Sequence, residues 1–130
     1  MVRESTENYL ETIYVLSKRL DFVRSIDVCT ELGYSKPTIS VMMKQFRENG
    51  YICMDSSGHI TLTPSGLEIA LRTYERHLVL SEMLMMLGVR EEVALEDACR
   101  IEHDISQETF ECVRRHMEEH KKHSGEGFFV

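Results

Sequence analysis

The segment from Cys99 to His103 places a thiol, a carboxylate and an imidazole at positions i, i+3 and i+4, on Cys99, Glu102 and His103. If the segment is helical, all three side chains point to one face of the helix. Thiolate, carboxylate and imidazole groups bind transition metals, and their mixture narrows the metals that would fit. Because Cys is often a small buried apolar residue and Glu-His pairs are common on solvated faces, the spacing alone leaves a metal site as a hypothesis.

Length and composition limit the class of protein. The chain has 130 residues, 42% of them hydrophobic, which suits one compact domain or two small domains that share a core. The longest apolar run, residues 83–87, is far shorter than a membrane span, and the N-terminus is charged rather than typical of a signal peptide. We therefore expect a cytoplasmic protein without a membrane partner. We expect reduced thiols because no C-x-x-C pair occurs among the four cysteines, Cys29, Cys53, Cys99 and Cys112.

Charge is distributed unevenly along the chain. The net charge of −7 by itself argues against a nucleic-acid partner, because phosphate binding needs positive potential. Residues 1–73 carry 9 acidic and 8 basic side chains, however, whereas residues 74–130 carry 13 and 7. The segment from Lys36 to Arg47 contains Lys44 as well and no acid. This local basic strip lies on a nearly neutral module, so DNA binding stays open.

Capping residues and apolar spacing predict three helices in the first half of the chain. The first covers residues 9–20 after the candidate caps Ser5 and Thr6. Ser25 is expected to cap a second helix over residues 26–32, which ends at Gly33 in a left-handed conformation. A third helix begins after the cap Ser35, and its apolar stripe consists of Ile39, Met42, Met43 and Phe46.

Alternating apolar and polar residues next predict a hairpin over residues 51–55 and 59–63, around the turn at residues 56–58. A long helix follows from Thr63 and Pro64 to about Gly88. Further helices are expected from residue 91 or 93 to Asp104, and from Ser106 to about residue 123, before a frayed tail over residues 124–130.

Two helices joined by a short glycine turn, a basic second helix and then a hairpin are typical of a winged helix-turn-helix. The predicted fold class is therefore mostly α, with a winged helix-turn-helix DNA-binding domain over residues 1–73 and a helical region over residues 74–130. In this arrangement residues 36–47 enter the major groove of DNA and residues 56–59 form the tip of the wing.

Five segments extend this interpretation: ENYLETIY at residues 7–14, SKPTIS at 35–40, LTPSG at 62–66, Arg-His at 76–77 and ACRIEHDIS at 98–106. Together they make the chain resemble the diphtheria toxin repressor and manganese transport regulator family of metal-dependent transcriptional repressors. The likeness spans nearly the whole sequence. It implies a homodimer whose winged helix is joined to a dimerisation and metal-binding region, in the short form without an extra C-terminal domain.

Residue by residue, the resemblance implies a metal site formed by Asn8, Glu11, His77, Cys99, Glu102 and His103. Manganese-type members usually have Asp at the position of Asn8 and Glu at that of Cys99, whereas iron-type members usually have Met and Cys. Asn8 offers only a neutral amide oxygen and could instead serve at the helix start. The sulfur of Cys99 favours iron, cobalt, nickel or zinc if it binds directly, whereas manganese fits if a nearby carbonyl binds instead. The expected cofactor is a divalent transition metal, manganese or iron.

The function implied is a metal-activated repressor of metal-ion homeostasis genes that binds a palindromic double-stranded DNA operator as a homodimer. Pro37, Thr38, Ser40 and Lys44 are the expected groove contacts, and Arg47 is expected at a phosphate. The DNA-binding prediction also includes Ser35, Lys36 and, at the wing, His59.

Other interpretations stay open. A winged-helix regulator could respond to a small organic effector or to thiol oxidation instead of a metal. A zinc metalloenzyme is disfavoured because the chain has no H-E-x-x-H pattern, nucleophile elbow or phosphate loop, so we expect no enzyme activity. The stripe Cys112, His116, His120 and His123 could form a separate zinc or nickel site, although a solvated helix edge is the simpler interpretation.

Overall fold

The computed structural model describes residues 4–123, with side chains for residues 5–121. Among these residues the elements are α1 (Glu4–Arg19), α2 (Ser25–Leu32), α3 (Lys36–Glu48), β1 (Ile52–Met54), β2 (Ile60–Leu62), α4 (Pro64–Met86), α5 (Glu91–Ile101) and α6 (Gln107–His123). The chain divides into two compact units between Arg72 and Thr73. The mostly helical, winged helix-turn-helix fold class predicted from the sequence is confirmed. Within the described residues, no helix combines the length and apolarity that a bilayer crossing needs.

The core of the first unit gathers apolar side chains of α1, α2, α3, the hairpin and the first part of α4. Leu10, Ile13, Val28, Ile39 and Phe46 are among its most deeply buried members. Tyr9 packs edge-on against Phe46, with ring centroids 5.5 Å apart. This packing fixes α3 against α1 and α2, so the opposite face of α3 is left to solvent.

Local capping sets where α2 begins. The sequence predicted Ser25 as the cap, but α2 starts at Ser25 and Arg24 occupies the cap position. The carboxylate of Asp27 accepts the backbone N–H of Arg24 at 2.9 Å, as the third residue of a helix does in a capping box. Gly33 ends the helix at φ 74°, the left-handed conformation predicted for it.

The recognition helix α3 starts at its predicted cap, because the Ser35 hydroxyl accepts the backbone N–H of Thr38. Its buried stripe is Ile39, Met43 and Phe46. The remaining face is exposed and carries every residue predicted there to contact DNA: Ser35, Lys36, Pro37, Thr38, Ser40, Lys44 and Arg47. The face is therefore available to a ligand, with three positive charges and no acid between Lys36 and Arg47.

The wing is a short antiparallel hairpin in which Ile52 pairs with Leu62 and Met54 with Ile60. Val23, ahead of α2, adds an isolated bridge to Ile60. At the start of α4, a Cβ on Gly66 would collide with the backbone carbonyl oxygen of Tyr51. Only glycine allows this close approach, which explains why the LTPSG segment ends in one.

The second unit contains the rest of α4 together with α5 and α6. Helix α5 ends at Ile101, three residues before the predicted end at Asp104. Helix α6 follows after Ser106, whose hydroxyl accepts the backbone N–H of Thr109 at 3.1 Å, as its predicted role as a cap requires. The tail predicted to fray, residues 124–130, lies outside the described residues.

Candidate metal centre

Three potential ligands from two helices of the second unit come together. One ligand atom each of His77 on α4, Cys99 in the last turn of α5 and Glu102 just after it all lie within 4.8 Å of one another. The segment predicted to be helical is helical only in part. Cys99 lies within α5, and Glu102 is the C-cap of α5, with helical dihedral angles. The helical hydrogen-bond pattern still reaches Glu102, because its backbone N–H donates to the carbonyl of Ala98.

Glu102 is the most deeply buried member of the cluster. Glu102 as a whole is 1% exposed to solvent. One carboxylate oxygen, Oε2, lies 3.1 Å from Nδ1 of His77. The other, Oε1, lies 3.4 Å from Nε2 of His103, outside hydrogen-bond geometry, and it is a buried oxygen without a hydrogen-bond partner among the described residues. A buried carboxylate oxygen without a hydrogen bond is costly, and a bound metal ion would coordinate it.

His77 is held in its protonated form by its neighbours. Hydrogen bonds to Cys99 and then to Glu102 raise the pKa of His77 to about 10, although burial acts in the opposite direction. An imidazole that carries both protons has no lone pair for a metal, so binding at His77 must displace a proton. A nitrogen, a sulfur and a carboxylate oxygen then form a donor set that fits a divalent transition metal. The residues therefore fit the metal that the sequence predicts.

Arg76, the residue before His77, holds the turn that presents Glu102. Its guanidinium donates to the backbone carbonyls of Glu102 and Ile105 at 3.0 and 3.1 Å, and to the side chain of Gln107 at 2.7 Å. It also lies 5.3 Å from the ring centroid of Phe110. Consecutive residues of α4 thus fix the backbone and the carboxylate of Glu102. Arg76 is part of one segment that carries the family resemblance, but the sequence alone indicated no role for it.

His103 is outside the group of three, and the remaining two predicted ligands, Asn8 and Glu11, lie one turn apart on α1 in the first unit. Glu11 is a buried carboxylate, 8% exposed. Asn8 is half-buried and lines a groove of about 280 Å³ together with Thr38 and Met42 of the recognition helix. Their part in a metal site rests on the sequence resemblance.

The histidine stripe of α6 is less organised. The rings of His116 and His120 have centroids 6.2 Å apart, and the thiol of Cys112 accepts a hydrogen bond from Arg115. The side chain of His123 lies outside the described part of the chain. Among the described residues, the one group of three potential ligands close enough to share an ion is His77, Cys99 and Glu102.

The variant Glu102→Gln tests the centre directly. Glutamine keeps the size of the side chain and an oxygen acceptor for His77, but it removes the negative charge that would hold a cation. We expect the affinity for Mn²⁺ or Co²⁺, measured by isothermal titration calorimetry, to fall at least about 10-fold, the low end of the cost of losing even a supporting group. The helical content by circular dichroism should be retained, because the change relieves a buried charge.

The matched control is Glu96→Gln, which changes an exposed carboxylate of α5 and should bind metal as the parent does. Unchanged metal affinity in Glu102→Gln would show that the cluster is not the binding site.

Comparison with known proteins identifies the family. The family model "Iron dependent repressor, N-terminal DNA binding domain" matches residues 1–60, and "Iron dependent repressor, metal binding and dimerisation domain" matches residues 63–126. The transcriptional regulator MntR of Salmonella typhimurium is 35% identical over 118 residues, which are 91% of this chain and 75% of that protein. The HTH-type transcriptional regulator MntR of Lysinibacillus sphaericus is 31% identical over 106 residues, 82% of this chain and 76% of that relative.

Among solved structures, a manganese-dependent transcriptional repressor in complex with manganese superimposes with a TM-score of 0.76 at 27% identity. The match covers 83% of this chain and 50% of that one, so the present chain spans about half the length of this solved protein. The two matched domain models together cover nearly all of the sequence, and the cluster of potential ligands lies in the domain described as metal-binding. The chain therefore belongs to the iron-dependent repressor family of metal-dependent, DNA-binding transcriptional regulators.

Proposed function

We propose that this chain represses genes of manganese or iron uptake, binding a palindromic operator as a homodimer when a divalent metal is bound. The single observation that carries the proposal is the cluster of His77, Cys99 and Glu102. The buried Oε1 of Glu102 has no hydrogen-bond partner among the described residues. The role is regulatory rather than catalytic. Because such a regulator acts where chromosomal DNA is held, we propose a cytoplasmic location.

We propose that His103, Asn8 and Glu11 complete the ligand set. His103 is supported by its position next to Glu102 and by a side chain that is only 4% exposed. Glu11 is supported by the burial of a carboxylate on α1. When bound, the metal supplies positive charge that several anionic and neutral donors share. It shifts the protein towards the DNA-binding state only as far as its affinity for that state exceeds its affinity for the other.

On the DNA side, α3 would read the major groove. Thr38, Ser40 and Lys44 are the proposed base-edge contacts together with Pro37, and Arg47 is the proposed phosphate contact. Support comes from the exposure of all four residues and of Arg47 on the face opposite the buried stripe. In a homodimer, two such helices would meet two half-sites of a palindrome.

Removal of a proposed ligand should abolish metal-stimulated operator binding without dissociating the homodimer. Glu11→Ala and His103→Ala are each expected to abolish the stimulation of DNA binding by Mn²⁺, while sedimentation still shows a dimer. Lys44→Ala is the reciprocal control, because it should weaken DNA binding and leave metal affinity unchanged. The measurement is operator binding by fluorescence anisotropy with Mn²⁺ and with a chelator.

Stimulation equal to that of the parent in both ligand variants would refute the proposed site. If the parent protein binds the operator as tightly with the chelator as with Mn²⁺, metal activation is refuted altogether. That result would favour the alternative regulator that responds to an organic effector or to thiol oxidation.

Metal choice should depend on the two positions where this chain departs from the simple family patterns. The sulfur of Cys99 is a soft ligand, and the amide of Asn8 is a weaker ligand for a hard cation than a carboxylate. Combining Asn8→Asp with Cys99→Glu should therefore lower the Mn²⁺ concentration needed for half-maximal operator binding, relative to the Co²⁺ concentration. If the ratio of the two concentrations stays at the parental value, these positions do not select the metal.

A further inference from the structure

Three side chains form a hydrogen-bonded series where the wing meets the start of α2. Nε2 of His59 lies 3.0 Å from a terminal nitrogen of Arg24, and Nδ1 of the same ring lies 3.1 Å from Oδ2 of Asp55. The ring also stacks on Phe22, with centroids 4.2 Å apart and planes 10° apart. His59 therefore has both nitrogens and one ring face engaged within the first unit.

The chemistry of the groups fixes the direction of the series. A guanidinium can only donate, so Nε2 of His59 must accept from Arg24, and the ring proton must be on Nδ1, which donates to Asp55. Asp55 is fixed in turn, because its Oδ1 accepts the backbone N–H groups of Ser57 and His59 at 2.9 Å each. These hydrogen bonds, the one from the His59 backbone first, lower the pKa of Asp55, so it stays a carboxylate.

This arrangement leaves the positive end of the series facing solvent. Arg24 is exposed, and its bond to His59 uses one of the five N–H donors of a guanidinium. The His59 ring lies between Asp55 and Arg24, so the carboxylate does not pair directly with the guanidinium. In helix-turn-helix proteins, the first helix of the motif crosses the DNA backbone, and here that helix is α2, with Arg24 at its N-cap.

We propose that Arg24 binds an operator phosphate beside the wing and that His59 is a positioning residue that aims the guanidinium at it. The proposal rests on the proposed operator binding and changes the role expected for His59, whose nitrogens are engaged with Arg24 and Asp55. Arginine suits the task because its planar fork can donate two hydrogen bonds to one phosphate. The contact positions the protein on DNA and carries no sequence preference of its own.

The test is the salt dependence of operator affinity, measured on the metal-loaded protein by fluorescence anisotropy. Arg24→Met keeps the aliphatic stem and removes the charge. We expect it to weaken binding about tenfold, as for the loss of one hydrogen bond to a charged group. The slope of log K against log salt concentration should become shallower by about 0.9, the value for one phosphate contact. Binding to operator and to unrelated DNA should weaken by the same factor.

Arg19→Ala is the matched control, because Arg19 is an exposed arginine of the same unit that pairs with Glu31. Its slope should equal that of the parent. If the slope of Arg24→Met also equals that of the parent, Arg24 makes no phosphate contact and the proposal is wrong. If instead the parent shows no metal-stimulated operator binding, it is the proposed function that fails.

The positioning role of His59 is separated from a direct DNA contact by a double-mutant cycle. His59→Phe keeps an aromatic ring to stack on Phe22 and removes both nitrogens. It should weaken operator binding of the parent and have no further effect in the Arg24→Met background, because it acts through Arg24. Equal weakening in both backgrounds would show that His59 acts on DNA independently. Melting temperatures of all variants, measured in parallel, show whether a loss of binding follows from a loss of fold.

Discussion

The burial of one carboxylate is the constraint on which the second unit depends. Glu102 has a side chain with 0% exposure, and a charge removed from water costs several kcal/mol unless partners compensate it. His77 supplies a hydrogen bond to one oxygen, while the second oxygen has no hydrogen-bond partner within the described residues. A fold that keeps such an oxygen buried leaves a position that a bound metal ion would fill.

Helix α4 holds this carboxylate in place with two consecutive residues. Arg76 binds the backbone of the turn after α5, and His77 binds the carboxylate that the turn presents. Because neighbouring residues of a helix point about 100° apart, one helix can hold both the turn and the side chain. The geometry of the ligands is therefore preorganised by contacts that do not themselves involve a metal, as is usual for metal sites in proteins.

Much of this organisation follows from local sequence signals. The αL turn at Gly33, the cap at Ser35 and the apolar stripe of α3 are properties of a few adjacent residues. They were predicted correctly except that Met42 of the stripe is only half-buried. The early end of α5 was not predicted, because the guanidinium of Arg76, 26 residues away from Glu102, holds the following turn. The cap at Arg24 was missed because a carboxylate three residues later performs the capping.

For the metal-site and DNA-contact residues too, signals between neighbouring residues could be recognised, whereas contacts between residues distant in the sequence could not. Cys99, Glu102 and His103 were recognisable from their spacing, whereas His77 was identified by resemblance and its contact with Glu102 spans 25 residues. The engagement of His59 with Arg24 spans 35 residues and had no signal in the local sequence. Arg76 likewise received no role, because its partners Glu102 and Ile105 lie 26 and 29 residues away in the sequence.

The central claim is that metal binding and operator binding are thermodynamically coupled, and linkage makes that coupling reciprocal. The most direct measurement is the affinity of the protein for Mn²⁺ by calorimetry, with and without a saturating concentration of operator DNA. The account predicts that operator DNA raises the affinity for the metal by the same factor by which the metal raises the affinity for operator DNA. An affinity for the metal that is unchanged by operator DNA would contradict it.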